Sequence, residues 1–153
     1  MQLTEQERTT IRDLQTQEKS CMTKYSKYSE EAKDPVLKSL FKDLADRERK
    51  HHDSLEQVIQ GTVPACDCND STGREYSPKA TYDSLNKTPD MQADCFLATD
   101  CIASEKLTSS EYNSNVFVFQ DSDIRKLLAD IQIEEQNHAE MLYKYKVVNG
   151  MAS

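Results

Sequence analysis

Two segments of helical pattern each place a glutamate three residues before a histidine: Glu48 and His51 in "ERKHH", Glu135 and His138 in "EQNHA". Carboxylate oxygens and imidazole nitrogens together suit Fe or Mn, and a three-residue step puts both donors on one face of a helix. One such pair alone is commonplace as an exposed polar pair. The second copy changes the reading, because the rest of the chain repeats with it.

A shift of 87 residues lays Glu18 on Glu105, Glu48 on Glu135 and His51 on His138. It also pairs Asp13 with Asp100, Lys19 with Lys106, Tyr25 with Tyr112, Asp34 with Asp121, Leu40 with Leu127, Asp43 with Asp130 and Leu55 with Leu142. No gap is needed, so the chain reads as an internal duplication. The polar matches outnumber the apolar ones.

Four long helices must position these groups. The first, roughly Thr4 to Lys33, repeats Ile11, Leu14, Cys21, Met22, Tyr25 and Tyr28 in steps of three and four. Asp34-Pro35 stops it and caps the second, which carries Leu37, Leu40, Phe41, Leu44, Leu55 and Val58 and ends near Gln60 before Gly61. The short connection makes an antiparallel hairpin. Residues 61 to about 89 hold three of the four prolines and two of the three glycines and read as a long crossover.

A third helix, about Asp90 to Phe119, shows Cys95, Ala98, Ile102, Thr108, Tyr112, Val116 and Phe119. The fourth follows Asp121-Ser122 and runs through Ile124, Leu127, Leu128, Ile131, Leu142 and Tyr145 to Asn149-Gly150. Each is about 25 to 30 residues, or roughly 40 Å, long. The expected fold is all-α, a single four-helix bundle of two hairpins, about 4–60 and 90–149, joined by the crossover.

The repeated polar residues fall on the apolar stripes. Glu48 lies four past Leu44 and His51 four before Leu55; Glu135 lies four past Ile131 and His138 four before Leu142. Glu18 is four past Leu14, and Glu105 three past Ile102. Four carboxylates buried together repel and lose hydration, so something must compensate them. Lys19 and Lys106 directly follow Glu18 and Glu105 and point about 100° away. Two divalent cations would balance the four charges, with two neutral imidazoles completing the shells. One glutamate from each of two helices and a Glu-x-x-His step from each of the others is the ligand set of di-iron and di-manganese carboxylate bundles. The plainer alternative is a duplicated scaffold that keeps these residues without loading metal.

Composition narrows the partners. A formal net charge of −8 repels nucleic acid and anionic membranes. No apolar run is long enough to span a bilayer. The start "MQLTEQERTT" lacks the layout of a secretory signal, and five cysteines, an odd number, do not form a secreted framework, so synthesis in a reducing cytoplasm is expected.

The layout resembles the ferritin-like superfamily and, within it, the rubrerythrin branch, through "EKSCMTKY" (Glu18, Tyr25) and "EKLTSSEY" (Glu105, Tyr112) beside the Glu-x-x-His helices. The second half, from "SEKLTSSEY" to "EEQNHAEMLYKY" and "NGM", is similar to the spore-coat protein F family of endospore-forming bacteria. The resemblance implies Glu18 and His51 on one metal, Glu105 and His138 on the other, and Glu48 and Glu135 bridging. It implies two Fe or two Mn ions, and Tyr25 and Tyr112 as hydrogen-bond donors that orient carboxylates; packing in the core is the equal alternative for both tyrosines.

The expected function is a coat-type protein with a dinuclear centre, made in the mother cell and deposited in the coat beside coat proteins or its own copies. The alternative is a redox enzyme using O2 or H2O2, as a peroxidase, catalase or ferroxidase. The four-cysteine rubredoxin-type module of full-length rubrerythrins is missing from these residues, so a self-contained peroxidase is not expected. Cys66 and Cys68 in "ACDCND" could bind metal, form a disulfide or cross-link to another subunit and are read first as loop thiols; Cys21, Cys95 and Cys101 are read as small core residues and His52 as solvent-facing. Asp13, Asp43, Asp100 and Asp130 are read as solvated, with the support of a histidine as the alternative.

Overall fold

The computed structural model describes residues 1–65 and 71–152. Cys66 and Cys68 lie outside the described residues. Helix α1 spans Glu5–Glu31 and opens with a reciprocal cap, in which Thr4 accepts from the Glu7 amide while Glu7 accepts from the Thr4 amide. Helix α2 spans Pro35–Ile59, with Pro35 at its first position and Asp34 accepting from the Val36 amide. One turn of helix, α3, covers Thr72–Glu75. Helices α4, Pro89–Asn115, and α5, Ser122–Val148, form the second hairpin, capped by Thr88 and Asp121. No strand occurs among the described residues.

The third long helix ends four residues short of the expected Phe119. Val116–Val118 tightens into a 3-10 turn, and Phe119 leaves it to bury its ring in the core. Two β-branched residues around Phe117 disfavour a further α turn, and the Phe119 carbonyl, left outside the helix, accepts from Arg125 Nη1 at 2.9 Å.

The expected inner face of this helix also shifts. Its buried residues are Met91, Asp94, Leu97, Ala98, Cys101, Glu105, Thr108 and Tyr112, while Cys95 and Ile102 are only half-buried. Cys95 therefore does not serve as a core residue; its thiol stands 3.8 Å from the Met151 carbonyl near the end of the chain. Cys21 and Cys101 are buried as expected.

The crossover is pinned along α5. The Gly73 amide donates to Asn137 Oδ1 at 3.0 Å, and a Cβ on Gly73 would come within 2.7 Å of that oxygen. The amides of Thr81 and Tyr82 donate to Asn149 Oδ1 at 2.9 and 3.0 Å. Asp94 on α4 accepts from the Lys33 and Asp34 amides, both at 2.9 Å, and from the Tyr82 hydroxyl at 2.6 Å, which locks the α1–α2 turn and the crossover to the second hairpin.

The apolar core comes in two parts. One gathers Tyr25, Leu37, Phe41, Leu44, Cys101, Leu142 and Tyr145. The other gathers Ile11, Leu14, Leu55, Tyr112, Ile124, Leu128 and Ile131. Every long helix passes from one cluster to the other, and each changes over at its repeated glutamate. Leu44 and Leu55, at 0 % exposure, bracket Glu48 and His51 on α2; burial of each such leucine stabilises the fold by about 1.5–3 kcal/mol. The polar layer between the clusters is thus held in place by apolar packing on both sides.

Candidate metal centre

The four long helices deliver the six repeated groups into that layer. Glu18 comes from α1, Glu48 and His51 from α2, Glu105 from α4, and Glu135 and His138 from α5. All are at most 3 % exposed. Each stands on the helical stripe that also carries core leucines or isoleucines, so packing of the stripe forces the polar group inward.

Two clusters result. Glu18, Glu48, His51 and Glu135 bring one donor atom each within 4.8 Å of one another, and Glu48, Glu105, Glu135 and His138 do the same. Glu48 and Glu135 belong to both. Both imidazoles turn Nδ1 into the layer: His51 Nδ1 stands 3.2 Å from Glu48 Oε2 and 3.0 Å from Glu135 Oε1, and His138 Nδ1 stands 3.1 Å from Glu48 Oε1 and 3.4 Å from Glu105 Oε1. Glu48 thereby reaches one histidine with each oxygen.

The tyrosines cross between the halves. Tyr25, on the helix of Glu18, donates its hydroxyl to Glu105, and Tyr112, on the helix of Glu105, donates to Glu18. Each non-shared carboxylate is therefore held by the opposite hairpin.

Among the described residues, several polar atoms in the layer find no hydrogen-bond partner of good geometry: Glu18 Oε2, Glu105 Oε2, both oxygens of Glu135, and His138 Nε2. A buried acceptor without a donor costs about 1–3 kcal/mol, and more when charged. Lys19 and Lys106, which directly follow Glu18 and Glu105, lie exposed. Unpartnered carboxylate oxygens converging from two sides, with imidazole nitrogens beside them and no ammonium among them, are what a pair of hard divalent cations requires. The residues fit the group.

The electrostatics divide the carboxylates by position. Burial, then the charges of Glu105 and Glu18, push Glu48 up to about 8. Burial and the charges of Glu105, Glu48 and Glu18 push Glu135 well above the usual range. For Glu105 burial acts in the same sense, but the neighbouring Glu135 carboxyl, the charge and ring nitrogen of His138 and the Tyr25 hydroxyl overcome it and hold the group down at about 2. Glu18 is lowered too, burial being outweighed by His51 and by the bonds from Glu48 and Tyr112. Burial opposes a charge on either histidine, yet the surrounding carboxylates raise both. Protons on the shared glutamates and the imidazoles thus offset the negative charge that two cations would otherwise neutralise.

Sequence pattern missed one participant. Glu134 on α5 contacts His51 Nε2 from the outer side of the ring. Its equivalent under the 87-residue shift is Arg47, so the duplication hides it, and its neighbour Glu135 draws the eye instead. The repeated aspartates take other places. Asp13 and Asp43 are exposed, Asp100 binds Lys24 and Tyr28 at 2.5 and 2.7 Å, and Asp130 binds Lys126 at 2.8 Å. His52 is half-buried rather than fully solvent-facing and sits 3.3 Å from Asp53.

Long helices around a buried layer of carboxylates and imidazoles define a ferritin-like bundle. The rubrerythrin family model matches residues 15–146, which include all six groups, and the chain belongs to the rubrerythrin family. No curated protein and no solved structure matches it. Among the described residues no helix is long and apolar enough to cross a membrane.

Proposed function

We propose that the chain holds two Fe or two Mn ions in this layer and that O2 or H2O2 is the small molecule that meets them. Glu18 and His51 would hold one ion, Glu105 and His138 the other, and Glu48 and Glu135 would span both. The observation that carries the reading is the set of oxygens on Glu18, Glu105 and Glu135 left without a well-formed hydrogen bond among the described residues. Six groups of this kind could be replaced by leucine with a gain in stability, so their presence with several buried polar atoms left unpartnered among the described residues argues for a ligand.

Bound there, the ions would supply redox and Lewis-acid chemistry toward dioxygen or peroxide. The chain's own residues supply orientation and exclusion of water. Tyr25 and Tyr112 fix the rotamers of Glu105 and Glu18 from the facing hairpin. Burial and the adjoining carboxylates push both phenols far up, so they stay protonated donors at any physiological pH. The apolar clusters on either side keep bulk water from the layer.

The test is metal content per chain by mass spectrometry after anaerobic reconstitution with Fe(II) or Mn(II), followed by peroxide and oxygen consumption. About two ions per chain and consumption that depends on them are expected. Failure to bind either ion with the helices intact would leave a scaffold and overturn the reading. A coat-type structural role that retains the same site is the second reading, supported by the likeness of "SEKLTSSEY" and "EEQNHAEMLYKY" to coat protein F. Two ions per chain with no turnover of peroxide or oxygen would favour it.

A further inference from the structure

The two halves of the layer match closely on the inner side of the imidazoles and differ on the outer side. Both rings present Nδ1 to the carboxylates. His51 Nε2 meets the carboxylate of Glu134, whereas His138 Nε2 is buried and has no hydrogen-bond partner among the described residues. The duplication places Arg47 where a carboxylate would have to stand to serve His138. A guanidinium offers donors only and cannot accept an imidazole N–H.

A carboxylate that accepts the outer N–H of a ligating imidazole fixes the ring's rotation and leaves the inner nitrogen's lone pair directed at the ion. Among the described residues His51 has that support and His138 does not. Glu134 is 29 % exposed through its side chain while His51 is 4 % exposed, so this support also links the buried ring to the surface on one side only.

We infer that Glu134 is a positioning residue that makes the two ion positions unequal: the Glu18–His51 position fills first and holds its ion more tightly than the Glu105–His138 position. This rests on the dinuclear reading above and adds an order of filling to it.

Anaerobic Mn(II) titration, followed by equilibrium dialysis and electron paramagnetic resonance, reads both points. The wild-type chain is expected to give the spectrum of isolated Mn(II) up to one equivalent and of a coupled pair only beyond it. Glu134→Ala is expected to weaken the first step by about 10- to 100-fold, so that coupled pairs appear from the first additions. Arg47→Glu supplies the missing carboxylate beside His138 and is expected to tighten the second step. A residue that merely stabilised the fold would shift neither the spectra nor the order. Two Mn(II) per chain bound in steps that neither variant changes would overturn the inference and leave the dinuclear reading standing. No Mn(II) or Fe(II) bound by the wild-type chain would remove both.

Discussion

The ring of His51 lies 5.7 Å from that of His138, with their planes only 13° from parallel. Two stacked imidazoles directed at shared carboxylates are the product of the duplication: each hairpin supplies one ring, and Glu48 reaches both Nδ1 atoms, at 3.2 and 3.1 Å. Under the proposed dinuclear reading, the shared glutamates are the members whose loss should empty both positions. Glu48→Ala combined with Glu135→Ala is expected to lower bound Fe or Mn from about two per chain to none while circular dichroism keeps its helical signal. Full stoichiometry in that variant would refute the bridging assignment.

Each tyrosine ties a carboxylate of the other hairpin, so removal of one hydroxyl acts on a site its own helix does not supply. Tyr25→Phe keeps the ring against Phe41, 5.8 Å away, and strips the donor from Glu105. The expected cost is about 1–3 kcal/mol in urea unfolding of the metal-free protein, because a buried charged acceptor loses its partner. Ion affinity should fall by about 10- to 100-fold at the Glu105–His138 position. Tyr112→Phe should do the same at the Glu18–His51 position. An unchanged unfolding midpoint and unchanged affinity would reduce both tyrosines to core packing.

Four groups in the layer have raised pKa values: Glu48, to about 8, Glu135, His51 and His138. A group whose pKa rises on folding binds its proton more tightly in the native state. Its contribution to stability is complete below the unfolded pKa and is lost as pH climbs through the folded value. Glu18 and Glu105 are lowered, so their contribution is lost as pH falls. Metal-free protein should therefore have its highest melting temperature on the acid side of neutrality and lose stability as pH climbs through about 8, where Glu48 gives up its proton. Ion uptake must displace the protons on Glu48 and Glu135, so affinity should weaken as pH drops below about 8 and unbuffered loading should acidify the solution. Scanning calorimetry and a pH electrode check these. A metal-free melting temperature that rises steadily from neutral to alkaline pH would contradict the proton assignment.

The sequence made much of this legible because the duplication concerns polar residues. Apolar stripes alone would have predicted four helices; Glu18, Glu48, His51 and their counterparts on those stripes located the layer to the residue. Asp34 and Asp121 could be read as caps because a short acceptor before a helical run has few other uses. The contacts that escaped are those between helices with no counterpart in the repeat. Glu134 stands four residues before His138 on the same helix, which suggests that pairing, yet it crosses to His51. The inner face of α4 keeps Ala98, Thr108 and Tyr112 but departs from the pattern at Cys95 and Ile102, which fit a helical step as well as Leu97 and Cys101 do. Only packing against the chain terminus and the other helices decides between them.

A second relation hidden in the repeat gives the last prediction. Asp94 and Glu7 are equivalent under the 87-residue shift, and so are Lys33 and Gln120. Asp94 accepts from the Lys33 amide at 2.9 Å, and Glu7 accepts from the Gln120 amide at 3.2 Å. In both halves an acid near the start of one hairpin's first helix thus caps the turn of the other hairpin. The two are unequal, since Asp94 is fully buried and also serves the Asp34 amide and Tyr82, while Glu7 shares its charge with Thr4 at the end of α1. Asp94→Ala leaves the buried Asp34 amide and the part-buried Lys33 amide without their acceptor and should cost about 3 kcal/mol, read as a lower urea midpoint. Glu7→Ala should cost about 1–2 kcal/mol, the range of a lost helix cap. Because neither residue reaches the carboxylate layer, loaded protein should keep its ion stoichiometry in both variants. Equal costs, or loss of ions with Asp94→Ala at a temperature where the helices persist, would show that the clamp and the layer are not independent.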